Sequence, residues 1–252
     1  MYTINNFENN DDIKIINENG PFKVIQYERD LSVLPSQAEL AYFCSKMNVK
    51  KRQVVCDLSK ANITLQAGAM QWMLGNVNAT TGIKGVGDLF GKAVRGKMTG
   101  ESAIKPEYQG DGLLVLEPTY KHILLLDLDE WNNGIVIDDG LFLACDSKIK
   151  QKAVMRSNLS SAVAGGEGLF NLCLKGSGIA CLESYTPMEE LIEITLKDDQ
   201  IKIDGNLAVA WSDTLDFTVE RSGKSLIGSA ASGEGLVNVY RGTGKILMTP
   251  VI

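Results

Sequence analysis

Apolar and polar positions alternate in short runs along most of this chain, and Gly, Asn and Asp punctuate the runs. From residue 53 onward, Leu113 to Leu116, Ile123 to Leu126, Ile135 to Ile137, Leu141 to Ala144, Leu191 to Leu196 and Leu215 to Val219 carry branched aliphatic residues over strand-sized lengths. Runs of this kind bounded by turn residues predict strands. Residues 135–143 and 201–209 each place an Asp-Gly pair between two such runs, which predicts tight hairpins. One stretch breaks the pattern. Ser36-Gln37-Ala38-Glu39 after Pro35 reads as a capping box, and Leu40, Phe43 and Met47 follow at helical spacing. A short N-terminal helix is predicted there, with the covering of an exposed sheet edge as its role.

The strand signals recur at a fixed interval. Gly-x-Gly stands at 110–112, 176–178 and 242–244, so that 176−110 = 66 and 242−176 = 66. A Gly-Glu pair precedes each, at 100–101, 166–167 and 233–234, and Gly68, Gly140 and Asn206 hold one turn position in the three stretches. All three are residue types that tolerate a left-handed backbone. A period longer than that of solenoid repeats implies three similar modules rather than a stacked array. The expected architecture is therefore all-β: three repeated double-sheet β-sandwich modules around a pseudo-threefold axis. Residues 53–118, 119–184 and 185–252 form the modules, and residues 1–52 are an N-terminal elaboration with the short helix. A module of that size buries too little surface to stand alone, so the three are expected to share one core.

Composition narrows the class. With 25 Lys and Arg against 31 Asp and Glu, the net charge of −6 argues against a nucleic-acid-binding surface covering the whole protein. Five cysteines, an odd number in a chain of 252 residues, read as reduced thiols, with Cys173 and Cys181 as packed core residues either side of Ser177. The N-terminus lacks a basic and then apolar leader, and no apolar stretch approaches membrane-spanning length. A cytoplasmic protein is expected, with contact at the inner face of the membrane left open.

Chemistry is sparse. Turn-to-glutamate distances of 101−68 = 33, 167−140 = 27 and 234−206 = 28 give the first module an enlarged loop, and insertion into one of several equivalent loops is how repeat scaffolds gain sites. Gly91 to Lys97 mimics a phosphate loop, but Met98 follows where Ser or Thr would ligate magnesium. Gly85, Gly87 and Gly91 mimic a dinucleotide fingerprint without the βαβ unit it needs. Lys84, Lys92, Arg95 and Lys97 against Asp88 make residues 82–98 locally basic, interleaved with apolar residues including Phe90. Such a segment either lies on an anionic membrane or acidic partner, or anchors its apolar residues in a satellite core. Convergence of the three modules would bring Glu101, Glu167 and Glu234 together, either as oxygen ligands for a hard cation or simply as acceptors within their own turns. His122 is the only histidine and has no identifiable nucleophile partner, so it is expected to be structural.

Residues 68–73 (Gly-Ala-Met-Gln-Trp-Met), 81–85 (Thr-Gly-Ile-Lys-Gly), 166–170 (Gly-Glu-Gly-Leu-Phe) and 233–237 (Gly-Glu-Gly-Leu-Val) resemble the altered-inheritance-of-mitochondria protein 24 family. The likeness covers roughly residues 60–252. It implies an all-β body of three repeats, similar to the short double-stranded β-helix units of the tryptophan-RNA-binding attenuation protein (TRAP). It carries over no catalytic residue, metal or cofactor, and it implies assembly or scaffolding rather than catalysis. The Ser36 helix lies outside the family's usual start, and Ser102 stands where the other modules have Gly168 and Gly235. The resulting expectation is a non-enzymatic assembly or scaffold protein that meets protein partners or itself. The competing expectation is a module holding a small ligand, a cation or RNA at the module junctions.

Overall fold

The computed structural model describes residues 2–30, 32–81, 105–132, 134–155, 170–221 and 236–251. Strands β1 (Ile13–Asn19) and β2 (Phe22–Tyr27) come first, then helix α1 (Ala38–Lys46). After them run β3 (Arg52–Asp57), β4 (Ile63–Leu65), β5 (Met70–Thr80), β6 (Glu107–Leu116), β7 (His122–Asp127), β8 (Gly134–Ile137) and β9 (Phe142–Asp146). The chain ends with β10 (Lys150–Met155), β11 (Phe170–Lys175), β12 (Ile179–Ser184), β13 (Ile192–Asp204), β14 (Ala208–Ser212), β15 (Asp216–Arg221) and β16 (Leu236–Met248).

Two antiparallel sheets result. The first runs β1-β2-β3-β6-β4-β9-β12-β7, with β5 also on β6; the second runs β10-β11-β8-β14-β16-β13, with β15 also on β16. The first sheet curls until its end strands β1 and β7 touch, which makes it nearly a barrel. Phe22, Val54, Ile63, Leu114, Ala144 and Cys181, all from that sheet, fill its interior. A second cluster joins Leu124, Leu182 and Ala180 of the first sheet to Ile135, Leu174 and Ala210 of the second, so it is the layer where the sheets pack. The third cluster, in the second sheet, centres on Trp211, whose ring lies 5.2 Å from that of Tyr240 and 5.5 Å from that of Phe217. Strands β3, β8 and β14 are buried along almost their whole length, β8 and β14 as nearly unbroken apolar runs and β3 with Arg52 and Gln53 buried beside Val54, Val55 and Cys56, whereas β5 shows the alternation of a strand wetted on one face.

Pairing around the three Gly-x-Gly motifs follows one scheme. Residues 113–116 lie between β3 and the first half of β5, and residues 107–108 between β4 and the second half of β5. Strand β12 lies between β7 and β9, and β11 between β8 and β10. Residues 244–248 lie between the start of β13 and β14, and residues 237–241 between the end of β13 and β15. The glycines stand where the strand crosses from one partner pair to the next. A Cβ on Gly112 would lie 2.1 Å from the Leu74 oxygen, on Gly178 2.5 Å from the Asp146 carboxylate, and on Gly244 2.7 Å from Ser212 Cβ. No side chain fits at such distances.

Several expectations need correction. The Asp-Gly steps are not hairpins: β8 belongs to the second sheet and β9 to the first, while β13 and β14 pair with opposite sides of β16 and not with each other. A corner between sheets asks for the same left-handed residue as a hairpin turn, so local sequence does not separate them. Gly68 and Gly140 are left-handed as expected, but in the third stretch Gly205 (φ 66°) takes that role and Asn206 does not. The helix starts at Ala38 with no side-chain cap, so the Ser36 box does not form. Cys173 and Cys181 are buried free thiols, as expected, and lie in different core clusters.

Candidate functional site

Glu101, Glu167, Glu234, Lys84, Phe90, Lys92, Arg95 and Lys97 all lie outside the described residues. Among the described residues no group of three or more His, Cys, Asp and Glu side chains could hold a metal ion, and no helix is long and apolar enough to cross a membrane. Among the described residues, a surface groove lies instead where β2 gives way to β3. These strands pair directly, from Phe22 opposite Cys56 to Gln26 opposite Arg52, yet residues 28–51 leave the sheet between them and carry α1.

Helix α1 buries none of its residues. Leu34 (61% exposed), Leu40 (68%), Phe43 (58%) and Met47 (77%) all stand in solvent, so the helix does not seal a sheet edge by burial as expected. Leu40, Phe43 and Met47 lie three and four residues apart and therefore form one stripe. Between the excursion and the strand ends lies an open groove of about 570 Å³, lined by Tyr27, Leu40, Tyr42, Val49 and Tyr120. Ion pairs join the two ends of the excursion along this groove: Lys50 with Glu28 and Lys51 with Asp30. The lysine hydrogen bonds draw the Glu28 and Asp30 carboxyls below their ordinary range, and the Asp30 carboxylate raises Lys51. Lys51 also sits 5.9 Å from the Tyr120 ring centre. Beneath them the Tyr27 hydroxyl donates to Gln53 Oε1 at 2.8 Å, and Gln53 donates to the Leu116 oxygen at 2.7 Å and to Gln71 at 2.6 Å. Burial raises the Tyr27 phenol, so it remains a neutral donor.

Arg52 fixes this region to the body. It is 1% exposed, and its guanidinium donates to the carbonyls of Lys50 (3.2 Å), Tyr120 (3.5 Å) and Asn48 (3.1 Å) and to Asn48 Oδ1 (3.0 Å). Nε is buried and without a hydrogen-bond partner among the described residues. Burial pulls the guanidinium below its ordinary range. Asn48 is itself left-handed (φ 60°), so Arg52 clamps the residue at which the chain leaves α1. The Arg52 backbone meanwhile exchanges hydrogen bonds with Thr119 at 2.7 and 2.8 Å. His122 is nearby: burial, then the Arg52 charge, lowers its imidazole, so it is neutral at pH 7. Neither the clamp nor the groove announces itself in the sequence, where Lys50-Lys51-Arg52 reads as a solvated basic run.

A second, smaller cavity of about 310 Å³ lies between the turns at Gly68 and Gly140, lined by Gln66, Glu117, Phe142 and Glu183. Lys105 donates to Gln66 at 2.9 Å with its ammonium 4.5 Å from the Phe142 ring centre, and Lys121 pairs with Glu183 at 3.0 Å. The Glu183 carboxylate is thus already paired.

An uncharacterised protein of Streptococcus pyogenes serotype M6 is 34% identical over 193 residues, covering 73% of this chain and 75% of that protein. The crystal structure of a protein from Streptococcus pyogenes superposes with a TM-score of 0.58 at 30% identity, covering 81% of this chain and 90% of that one. The family model described as mitochondrial biogenesis AIM24 matches residues 46–251, beginning where α1 ends, and this chain belongs to that family.

Proposed function

We propose that this chain is a non-catalytic assembly component of the cytoplasm, with a body of three equivalent β modules and a docking surface for a protein partner on α1. The observation that carries the docking surface is the stripe of Leu40, Phe43 and Met47, held away from the body on a helix with no buried residue. Helices of soluble proteins normally bury such a stripe, and one left bare and rigidly anchored suits helix-to-groove or helix-to-helix recognition. Anchoring comes from Arg52 and from the ion pairs at both ends of the excursion. The reading of the body as three modules is supported by the shared pairing scheme and by a strand irregularity that recurs in step. The ladder skips Gln71 in β5, Leu143 in β9 and Val209 in β14, and 143−71 = 72 and 209−143 = 66 are also the spacings of Gly68, Gly140 and Asn206.

The test is a photo-crosslinking amino acid at position 43 of the full chain, activated in living cells, with adducts identified by mass spectrometry. A discrete protein adduct that disappears when Leu40→Glu is added is the expected outcome. Adducts only with lipid would replace a protein partner by a membrane surface, and no adduct at all would remove the docking role.

A further inference from the structure

Two of the module junctions are the same junction. In the first, β4 pairs with β9: Ile63 with Asp146, Thr64 with Cys145, Leu65 with Ala144. In the second, β8 pairs with β14: Ile135 with Ser212, Val136 with Trp211, Ile137 with Ala210. The offsets are 135−63 = 72 on one side and 212−146 = 66 on the other, the same module spacings, so the register is conserved residue for residue. Each junction joins the strand before a module's sheet-to-sheet corner to the strand after the corner in the next module.

Continuing the series names a third pair of edges. The strand before the corner in the third module is the end of β13, where 135+66 = 201, and the strand after the corner in the first is the start of β5, where 146−72 = 74. Residues 201–203 pair with β16 and residues 72–74 with β6, and among the described residues neither segment has a strand on its other side. On the β13 side the residues follow the pattern of the made junctions. Ile201, Lys202 and Ile203 correspond to Ile63, Thr64, Leu65 and to Ile135, Val136, Ile137, with Ile203 already buried and Met73 on the opposing strand 46% exposed. Two different edges of complementary register, paired between copies, form a heterologous contact, which builds rings or filaments.

We propose that copies of this chain associate head to tail, the β13 edge of one pairing antiparallel with the β5 edge of the next in the register Ile201 to Leu74, Lys202 to Met73 and Ile203 to Trp72. The inference rests on the module reading above and is independent of α1. Backbone hydrogen bonds supply the contact, and the apolar Ile201 and Ile203 opposite Trp72 and Leu74 fix its register.

The test uses the full chain carrying Cys44→Ser, which removes the one cysteine of five that is not buried. Lys202→Cys and Met73→Cys are made in separate chains, checked for unchanged circular dichroism, mixed and mildly oxidised. A disulfide-linked dimer in the mixture, absent from either variant alone and lost when Asn78→Cys replaces Met73→Cys, is expected. The chain carrying both substitutions should give a ladder of linked oligomers. A doubly substituted chain that instead closes on itself and migrates as a monomer overturns the proposal, as does a folded mixture that forms no heterodisulfide. If the position-43 adduct persists without the edge disulfide, the assembly reading stands and this inference falls; the reverse result removes the docking role of α1 alone.

Discussion

The Gly-x-Gly crossings and helix α1 show opposite uses of sequence regularity. At the crossings, glycine spacing is enforced by contact: a Cβ at Gly110 would lie 2.0 Å from the Asn76 carbonyl oxygen, and the backbone there has φ 132°. At α1, apolar spacing is just as regular but buries nothing, since Leu40, Phe43 and Met47 remain exposed. The family match spans the crossings and stops at the helix. Periodicity thus reports burial only where the rest of the chain supplies a second surface.

The largest effect that would break this contrast is predicted at Gly110. Gly110→Ala forces both a left-handed backbone and a clash with a carbonyl that cannot rotate away, and a loss of about 4 kcal/mol or failure to fold is expected by urea denaturation. Gly68→Ala, also left-handed (φ 84°) but with nothing within 4 Å of the new methyl, should cost only about 1 kcal/mol. Equal costs at the two sites would mean that backbone strain, not close approach, selects these glycines.

An intermediate effect is predicted where the two regions meet. Arg52→Met leaves the carbonyls of Asn48, Lys50 and Tyr120 without their buried donor, and opening of residues 38–51 should become easier by about 1–3 kcal/mol. Amide hydrogen exchange should accelerate there while β6 and β14 keep their protection. Faster exchange spread evenly over the body would make Arg52 a core residue rather than the anchor of the excursion.

The smallest effect sharpens the comparison from the side of the body. Arg241 holds Glu220 with bonds of 2.6 and 2.9 Å, which keeps the carboxyl at about 2 against an ordinary 4.5. A carboxyl lowered on folding stabilises the protein above pH 4.5, and that contribution is lost as the pH falls toward 2. Both side chains are more than a third exposed, so solvent screening keeps the contribution of the pair small. Chemical denaturation of Glu220→Gln across that pH range, in low and high salt, should show a small, salt-sensitive loss of pH dependence.

Much of the body was legible. Ile135-Val136-Ile137 and its counterparts fall in observed strands because β-branched residues at strand length have few other uses, and each Gly-x-Gly motif stands where the chain passes from one pair of strand partners to the next. Strand partners were not legible. Asp139-Gly140 and Asp204-Gly205 look like hairpin turns because a turn residue encodes a reversal of direction, not the sheet that receives the returning strand. The candidate site was less visible still. Arg52 is polar by type and buried by circumstance, its partners being main-chain carbonyls that carry no residue identity.

By itself the sequence determined the class and the punctuation: strands rather than helices, three stretches in step, and glycine where two backbones meet, because these depend on local conformational preference and on the absence of a side chain. Only the tertiary structure decided which strands pair, that the first sheet curls back on itself, that α1 stands clear of the core, and that the end of β13 and the start of β5 are edges among the described residues. Each of those outcomes turns on which distant surfaces find room against one another, and no single segment of the chain carries that information.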